Sequence, residues 1–230
     1  MLATDVLAEA AANIVFTTGG ASIIAADGAV RRAERGAVIN AGETVDTADG
    51  KVQLRFRDGA TMSLQPGTQF RVEQFRFAEQ GGKAGPDDTV VMRFIRGALR
   101  TVSGLIGKEK REQYRMDTAV GTIGIRGTDY GANMGDSGLS VTTYGGLVEV
   151  CNQAGCGLVG PGQTLVVGGA GDKPKLQGPQ GPSGGMQGNV PGAGGSPDLP
   201  PPQQSIDLSG QQQQQQQQGP RYMGPPVRGY

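Results

Sequence analysis

The chain has no histidine and no tryptophan, only two cysteines, and an aromatic content of 5%. Each shortage removes a class of function. Without histidine, a serine or cysteine nucleophile lacks its commonest general base, and acid–base work falls to carboxylates. Asp58, Asp117 and Asp129 are the candidates. Each has a plainer role in a turn or at a strand edge, where a carboxylate accepts backbone N–H bonds. The chain therefore reads as non-enzymatic and without a cofactor. A structural zinc site needs four ligands, commonly cysteine or histidine, and two cysteines do not supply them.

Charge of one sign is also missing. Lys and Arg number 21, as do Asp and Glu, so no net charge draws the chain to nucleic acid or to an acidic membrane surface. The densest basic run, Lys108-Glu-Lys-Arg-Glu112, interleaves acids with bases and reads as a solvated loop. No apolar run reaches the roughly 18 residues that a membrane span requires. Residues 1–12 lack the basic start and continuous apolar centre of a signal peptide. They are expected to be a short helix or the remnant of a processed leader.

Glycine is what the chain has in excess, 41 of 230 residues. From Gly168 onward glycine mixes with proline and glutamine, including Pro200 to Pro202 and an unbroken run from Gln211 to Gln218. Such a stretch cannot bury enough apolar surface to offset chain entropy, so residues 168–230 are expected to be a disordered Gly/Pro/Gln-rich tail. It serves as a spacer or docking arm, or as an adhesive segment through its glutamines. Between Asn13 and Val167 glycines instead punctuate brief apolar or alternating runs. Examples are Val52-Gln-Leu-Arg-Phe56, Val90 to Ile95, Ala98 to Val102, Leu139 to Tyr144 and Leu147 to Val150. These are strand-length and of period two, which predicts an all-β domain of about a dozen short strands. Asp49-Gly50 and Asp58-Gly59 are turn dipeptides flanking Val52 to Phe56, so residues 45–64 are expected to form a meander with Gln53, Arg55 and Arg57 facing out. A core of aliphatic side chains between tight turns suits a coiled β-solenoid or β-roll-like stack better than a sandwich with large aromatic anchors.

Two local patterns carry most of the information. Cys151-Asn-Gln-Ala-Gly-Cys156 lies between two strand-like runs, which is hairpin geometry, and a disulfide across it is sterically reasonable. A redox-active pair would have the Cys-x-x-Cys spacing at a helix start, which is absent. The second pattern is Thr118-Ala-Val-Gly-Thr-Ile-Gly-Ile-Arg-Gly-Thr-Asp-Tyr130, with glycines at 121, 124 and 127. A phosphate-cradling loop would need a helix to begin straight after it, and the following residues carry more glycine and no helical period. Two strands around a tight turn fit better, with Arg126 pairing with Asp129 or with carbonyls of neighbouring strands.

The sequence resembles the FecR-like domain family in several blocks that occur in the family's order. They are Ala41 to Thr47, Val52 to Leu64, Arg96-Gly-Ala-Leu-Arg100, Met116 to Tyr130 and Gly160-Pro-Gly-Gln163, and the resemblance spans about residues 19 to 167. The signature turn holds Gly124, Arg126, Gly127, Thr128 and Asp129. The resemblance implies a bacterial envelope domain, periplasmic or extracellular, best known from regulators that relay a signal from an outer-membrane transporter to a sigma factor. Those regulators carry a sigma-binding segment and a transmembrane helix before this domain. This chain has neither that helix nor the small second domain that often follows, so the expectation is a stand-alone exported interaction or scaffold module at residues 13–167. Its partner would be an envelope protein, a cell-wall or surface glycan, or the chain itself. The alternatives are a subunit that self-assembles through β edges into a filament, and a part of the transmembrane relay.

Overall fold

The computed structural model describes residues 9–78 and 81–178. The readings made for residues 1–8 and for most of the tail lie outside the described residues. The described chain is all-β apart from one short helix and one 3-10 turn. Fifteen strands form one connected, unclosed hydrogen-bonded network.

The strands are β1 (Ala10–Thr18), β2 (Ser22–Ile24), β3 (Val30–Arg32), β4 (Val38–Asn40), β5 (Thr44–Asp46), β6 (Lys51–Phe56), β7 (Thr61–Leu64) and β8 (Gln69–Arg76). They continue with β9 (Thr89–Val102), β10 (Tyr114–Asp117), β11 (Thr122–Gly135), β12 (Gly138–Asn152), β13 (Gly155–Val159), β14 (Thr164–Val167) and β15 (Lys175–Leu176). The helix α1 (Leu105–Glu109) and the 3-10 turn Arg111–Gln113 lie between β9 and β10.

Three long strands organise the rest. The C-terminal part of β9 pairs with β7 and β11, the C-terminal part of β11 pairs with the start of β12, and the start of β12 pairs with β14. This series runs β15-β14-β12-β11-β9-β7-β6-β1-β4. The other ends of the same three strands build a second series. There β13 lies beside β12, β12 beside β11, β10 between β11 and β9, and then β8, β5, β2 and β3 follow.

The two series pack against each other. Phe56 of the first and Phe75 of the second have ring centroids 6.1 Å apart. The hydroxyls of Tyr114 in the second and Tyr130 in the first are hydrogen-bonded at 2.8 Å. Both rings are buried in one hydrophobic cluster with Ile14, Leu54, Met62, Phe70, Met92, Phe94 and Met116. Each such side chain contributes about 1.5–3 kcal/mol of transfer free energy. β6 shows how period two writes this: Val52, Leu54 and Phe56 are buried while Lys51, Gln53 and Arg55 face out.

The all-β expectation matches this structure, but a solenoid is not shown. Every strand pairing except that of β9 with β10 is antiparallel. Stacked coils would need parallel neighbours. The expected separate strands Val90–Ile95 and Ala98–Val102 are one strand, β9, and Leu139–Tyr144 joins Leu147–Val150 in β12. The reason lies in the glycines. Gly97, Gly127 and Gly146, one in the middle of each long strand, have φ of +97°, +57° and +76°. A bend at such a residue turns a strand from one series to the other without ending it. Gly146 also has no room for a side chain, since a Cβ there would run into the Gly127 carbonyl oxygen.

Other differences have equally local causes. Residues 10–12, expected to end a short helix or a leader remnant, open β1. Ala11 and Ala12 are fully buried, and packing overrides alanine's helix preference. The turn at Asp58-Gly59 joins β6 to β7 as the meander requires, but Asp49-Gly50 carries the chain from β5 in one series to β6 in the other. The Lys108–Glu112 segment, read as a loop, includes the end of α1 and the start of the 3-10 turn. Ile106 beneath it is fully buried, and that single apolar anchor is too little periodicity to announce a helix.

Replacing Gly146 with alanine should cost at least about 3 kcal/mol, the sum of left-handed strain and a backbone clash. Gly135→Ala, where a Cβ meets nothing within 4 Å, serves as the neutral control. Thermal unfolding followed by circular dichroism reads both, and equal melting temperatures would refute the bend's role.

Candidate functional site

The signature turn foreseen at residues 124–129 is a bulge inside β11. Arg126 faces Leu147 and Asp129 faces Gly145, so three steps on β11 match two on β12. Gly127, with its positive φ, absorbs the extra residue. The bulge is stitched to the end of β9. The Ser103 hydroxyl accepts from the Thr128 N–H at 2.6 Å and donates to the Thr128 carbonyl at 2.8 Å, and the Ser103 N–H donates to that carbonyl at 2.9 Å. The bend of β9 is stitched likewise, with the Thr68 hydroxyl accepting from the Ala98 N–H at 3.1 Å and donating to its carbonyl at 3.0 Å.

Asp129 does not pair with Arg126. Its carboxylate takes two hydrogen bonds from Arg100, Nε at 3.0 Å and Nη2 at 2.8 Å. The hydrogen bonds from Arg100 hold the Asp129 carboxyl below the usual range. The Arg100 guanidinium also lies over the ring of Tyr144, 4.4 Å from its centroid. Arg100, Asp129 and Tyr144 thus tie β9, β11 and β12 together just beyond their bends. Arg126 is exposed instead. The bulge turns residues 126 and 129 in different directions, which a sequence-level pairing could not register.

The other two acidic candidates are structural in place. Asp58 is buried in the β6–β7 turn, where its carboxylate accepts the N–H groups of Ala60 at 3.1 Å and Ile106 at 3.3 Å. It fastens α1 to the turn. Burial pushes its carboxyl up from the ordinary value, against those hydrogen bonds. Asp117 accepts from Arg115 Nε at 2.8 Å and from the Thr122 hydroxyl at 2.8 Å. Burial alone would raise it, but these bonds outweigh burial and hold it low.

Cys151 and Cys156 face each other across the β12–β13 hairpin, Cα atoms 4.1 Å apart, and are disulfide-bonded. Glu149 lies beside them, and the three form the cluster of potential metal-ligating atoms found among the described residues. Two of its three members are oxidised to one another, so the cluster offers no thiolate.

Gly124 and Arg126 line a surface cleft of about 260 Å³ together with Arg111, Glu112, Ile125 and Glu149. The signature residues thus separate by role. Gly127, Thr128 and Asp129 build the bend, while Gly124 and Arg126 face the cleft. Ser103, Arg111 and Glu149 carry no sequence signal that links them to the turn. Arg100 lies in a recognised block, but its pairing with Asp129 depends on strand register.

The family profile described as FecR protein matches residues 43–149. The domain is FecR-like. The matched stretch begins within the first recognised block and stops before Gly160 to Gln163. It contains the three bends and the cleft-lining Gly124, Arg126 and Glu149. No curated protein matches the chain. Two crystal structures from Parabacteroides distasonis, each described as of a "putative anti-sigma factor", are similar to it. One is 16% identical over 58% of each chain with a TM-score of 0.44. The other is 16% identical over 54% of each with a TM-score of 0.41. The chain therefore spans little more than half the length of those proteins.

The short Cys151–Cys156 loop should add about 2 kcal/mol to the FecR-like domain. The double serine variant is expected to remain folded and to lose about that much in denaturant titration; loss of the whole fold would show that the bridge holds more than a hairpin. Carbon-detected NMR titration should place Asp58 above, and Asp117 and Asp129 below, the ordinary aspartate value of about 3.9. The two lowered groups contribute stability present above the unfolded value and lost as pH falls through their folded values. Asp58 contributes in the opposite sense, its protonated form being favoured by the fold and that gain fading as pH rises through its raised value. An Asp58 at or below the ordinary value would contradict its burial.

Proposed function

We propose that residues 13–167 are a non-enzymatic interaction or scaffold module of a bacterial cell envelope, periplasmic or extracellular, which binds a protein or glycan partner, with the part of the Gly/Pro/Gln-rich stretch 168–230 that follows β15 as tether. The observation that carries this reading is the FecR match over residues 43–149. Two structural features support it. The oxygens of Asp58, Asp117 and Asp129 are engaged in holding turns and strands, which leaves these acids poorly placed for acid–base work. A cross-strand disulfide suits an oxidising compartment.

The same family match fits a relay to a sigma factor about as well, with this domain as one part of the signalling protein. Among the described residues no helix is long and apolar enough to cross a membrane. A filament subunit is favoured by one feature only: β3, β4, β13 and β15 each have a single strand neighbour and so present open edges.

Chemical cross-linking in native cells, with mass spectrometry of the joined peptides, separates these readings. Links to an envelope protein or wall component are expected. Links to a sigma factor, or to a protein that itself contacts one, would establish the relay, and links only between copies would establish the filament.

A further inference from the structure

We infer that the cleft lined by Arg111, Glu112, Gly124, Ile125, Arg126 and Glu149 is a docking site for an extended polypeptide segment carrying both an acidic and a basic side chain. The inference rests on the proposal that this module binds a protein partner, and it places that partner.

Three observations converge on the cleft. First, β11 lacks a strand beside it there. On the edge away from β12 it pairs with β10 only at residues 122 and 123, and with β9 only from 129 to 134. Between these points α1 and the 3-10 turn pack instead. Among the described residues, neither gives a backbone hydrogen bond to Gly124, Ile125 or Arg126. An interrupted edge of this kind asks for alternating N–H and C=O groups, which a polypeptide has and a glycan lacks.

Second, the fold does not require glycine at position 124. Its φ lies outside the left-handed region, and a Cβ would meet only the Glu149 carbonyl oxygen, at 3.9 Å. This contrasts with Gly146, which the bend demands. The missing side chain at 124 keeps the cleft floor open.

Third, the walls carry charge that is unpaired among the described residues. Among the described residues, Arg111, Arg126, Glu112 and Glu149 form no ion pair, although the arginines of the neighbouring strands do: Arg93 with Glu73, Arg96 with Asp46, and Arg115 with Asp117. These two cations and two carboxylates, unpaired among the described residues, surround about 260 Å³ and select a segment bearing both signs.

The test uses the full chain and a panel of fluorescein-labelled peptides of about eight residues, alternating valine with aspartate and lysine together, with aspartate alone, with lysine alone, or with serine. Fluorescence anisotropy should show the mixed-charge peptide binding most tightly. Gly124→Leu, which fills the floor, should weaken it at least tenfold with the melting temperature unchanged. Arg126→Glu should shift preference toward the lysine peptide, a change that a merely destabilised fold would not produce. Failure of the whole panel to bind, equal binding of the serine peptide, or full retention by Gly124→Leu would each overturn the inference. Should cross-links to an envelope protein persist in cells carrying Gly124→Leu, the docking site falls while the interaction module stands.

Discussion

The architecture depends on three adjacent strands bending in the same place. β9, β11 and β12 each cross from one strand series to the other through a glycine with positive φ, and the carbonyl of Gly127 fills the space a side chain on Gly146 would need. Backbone strain at one such residue amounts to about 1–3 kcal/mol for any non-glycine, so the bends are specified by residue type and not only by packing. Because the bends coincide, the series fold over one another and the Phe56–Phe75 and Tyr114–Tyr130 contacts close the core. Straight strands would leave two open sheets with one apolar face each.

The polar residues around the bends follow from this constraint. A bent strand breaks its ladder, and the freed backbone groups need partners. Ser103 and Thr68 supply them from the ends of neighbouring segments, each hydroxyl serving as donor and acceptor to the same residue. Outside, the Arg100–Asp129 pair with Tyr144 spans the same three strands where the core cannot reach. Exposed pairs of this kind add little stability singly. Their placement instead fixes the strands' register beyond the bend. Beside α1 a short edge of β11 has no strand neighbour, and that is where the signature residues Gly124 and Arg126 line a cleft.

Much of the fold was legible because period two survives in most strands, as in β6, and because Asp58-Gly59 and the cysteine hairpin are turns of purely local origin. The sequence reading lost the bends. Gly97 and Gly146 look like chain breaks between short strands, since a glycine that ends a strand and one that bends it are the same residue in a sequence. That one ambiguity turned long strands into short ones and a two-series network into an expected coil. The site was legible in its residues and not in their partners. Cys151 and Cys156 are close in sequence and their pairing follows from spacing, whereas Asp129 and Arg100 are 29 residues apart and meet only once the register is known.

The central claim is that bending at the three glycines brings the two strand series face to face. Nuclear Overhauser contacts in an isotope-labelled sample test it most directly, between the rings of Phe56 and Phe75 and between those of Tyr114 and Tyr130. The account predicts both sets together with the cross-strand contacts of β9 to β11 and β11 to β12 on either side of the bends. Cross-strand contacts without either aromatic set would show that the strands pair as described but that the series do not fold over one another, and would contradict it.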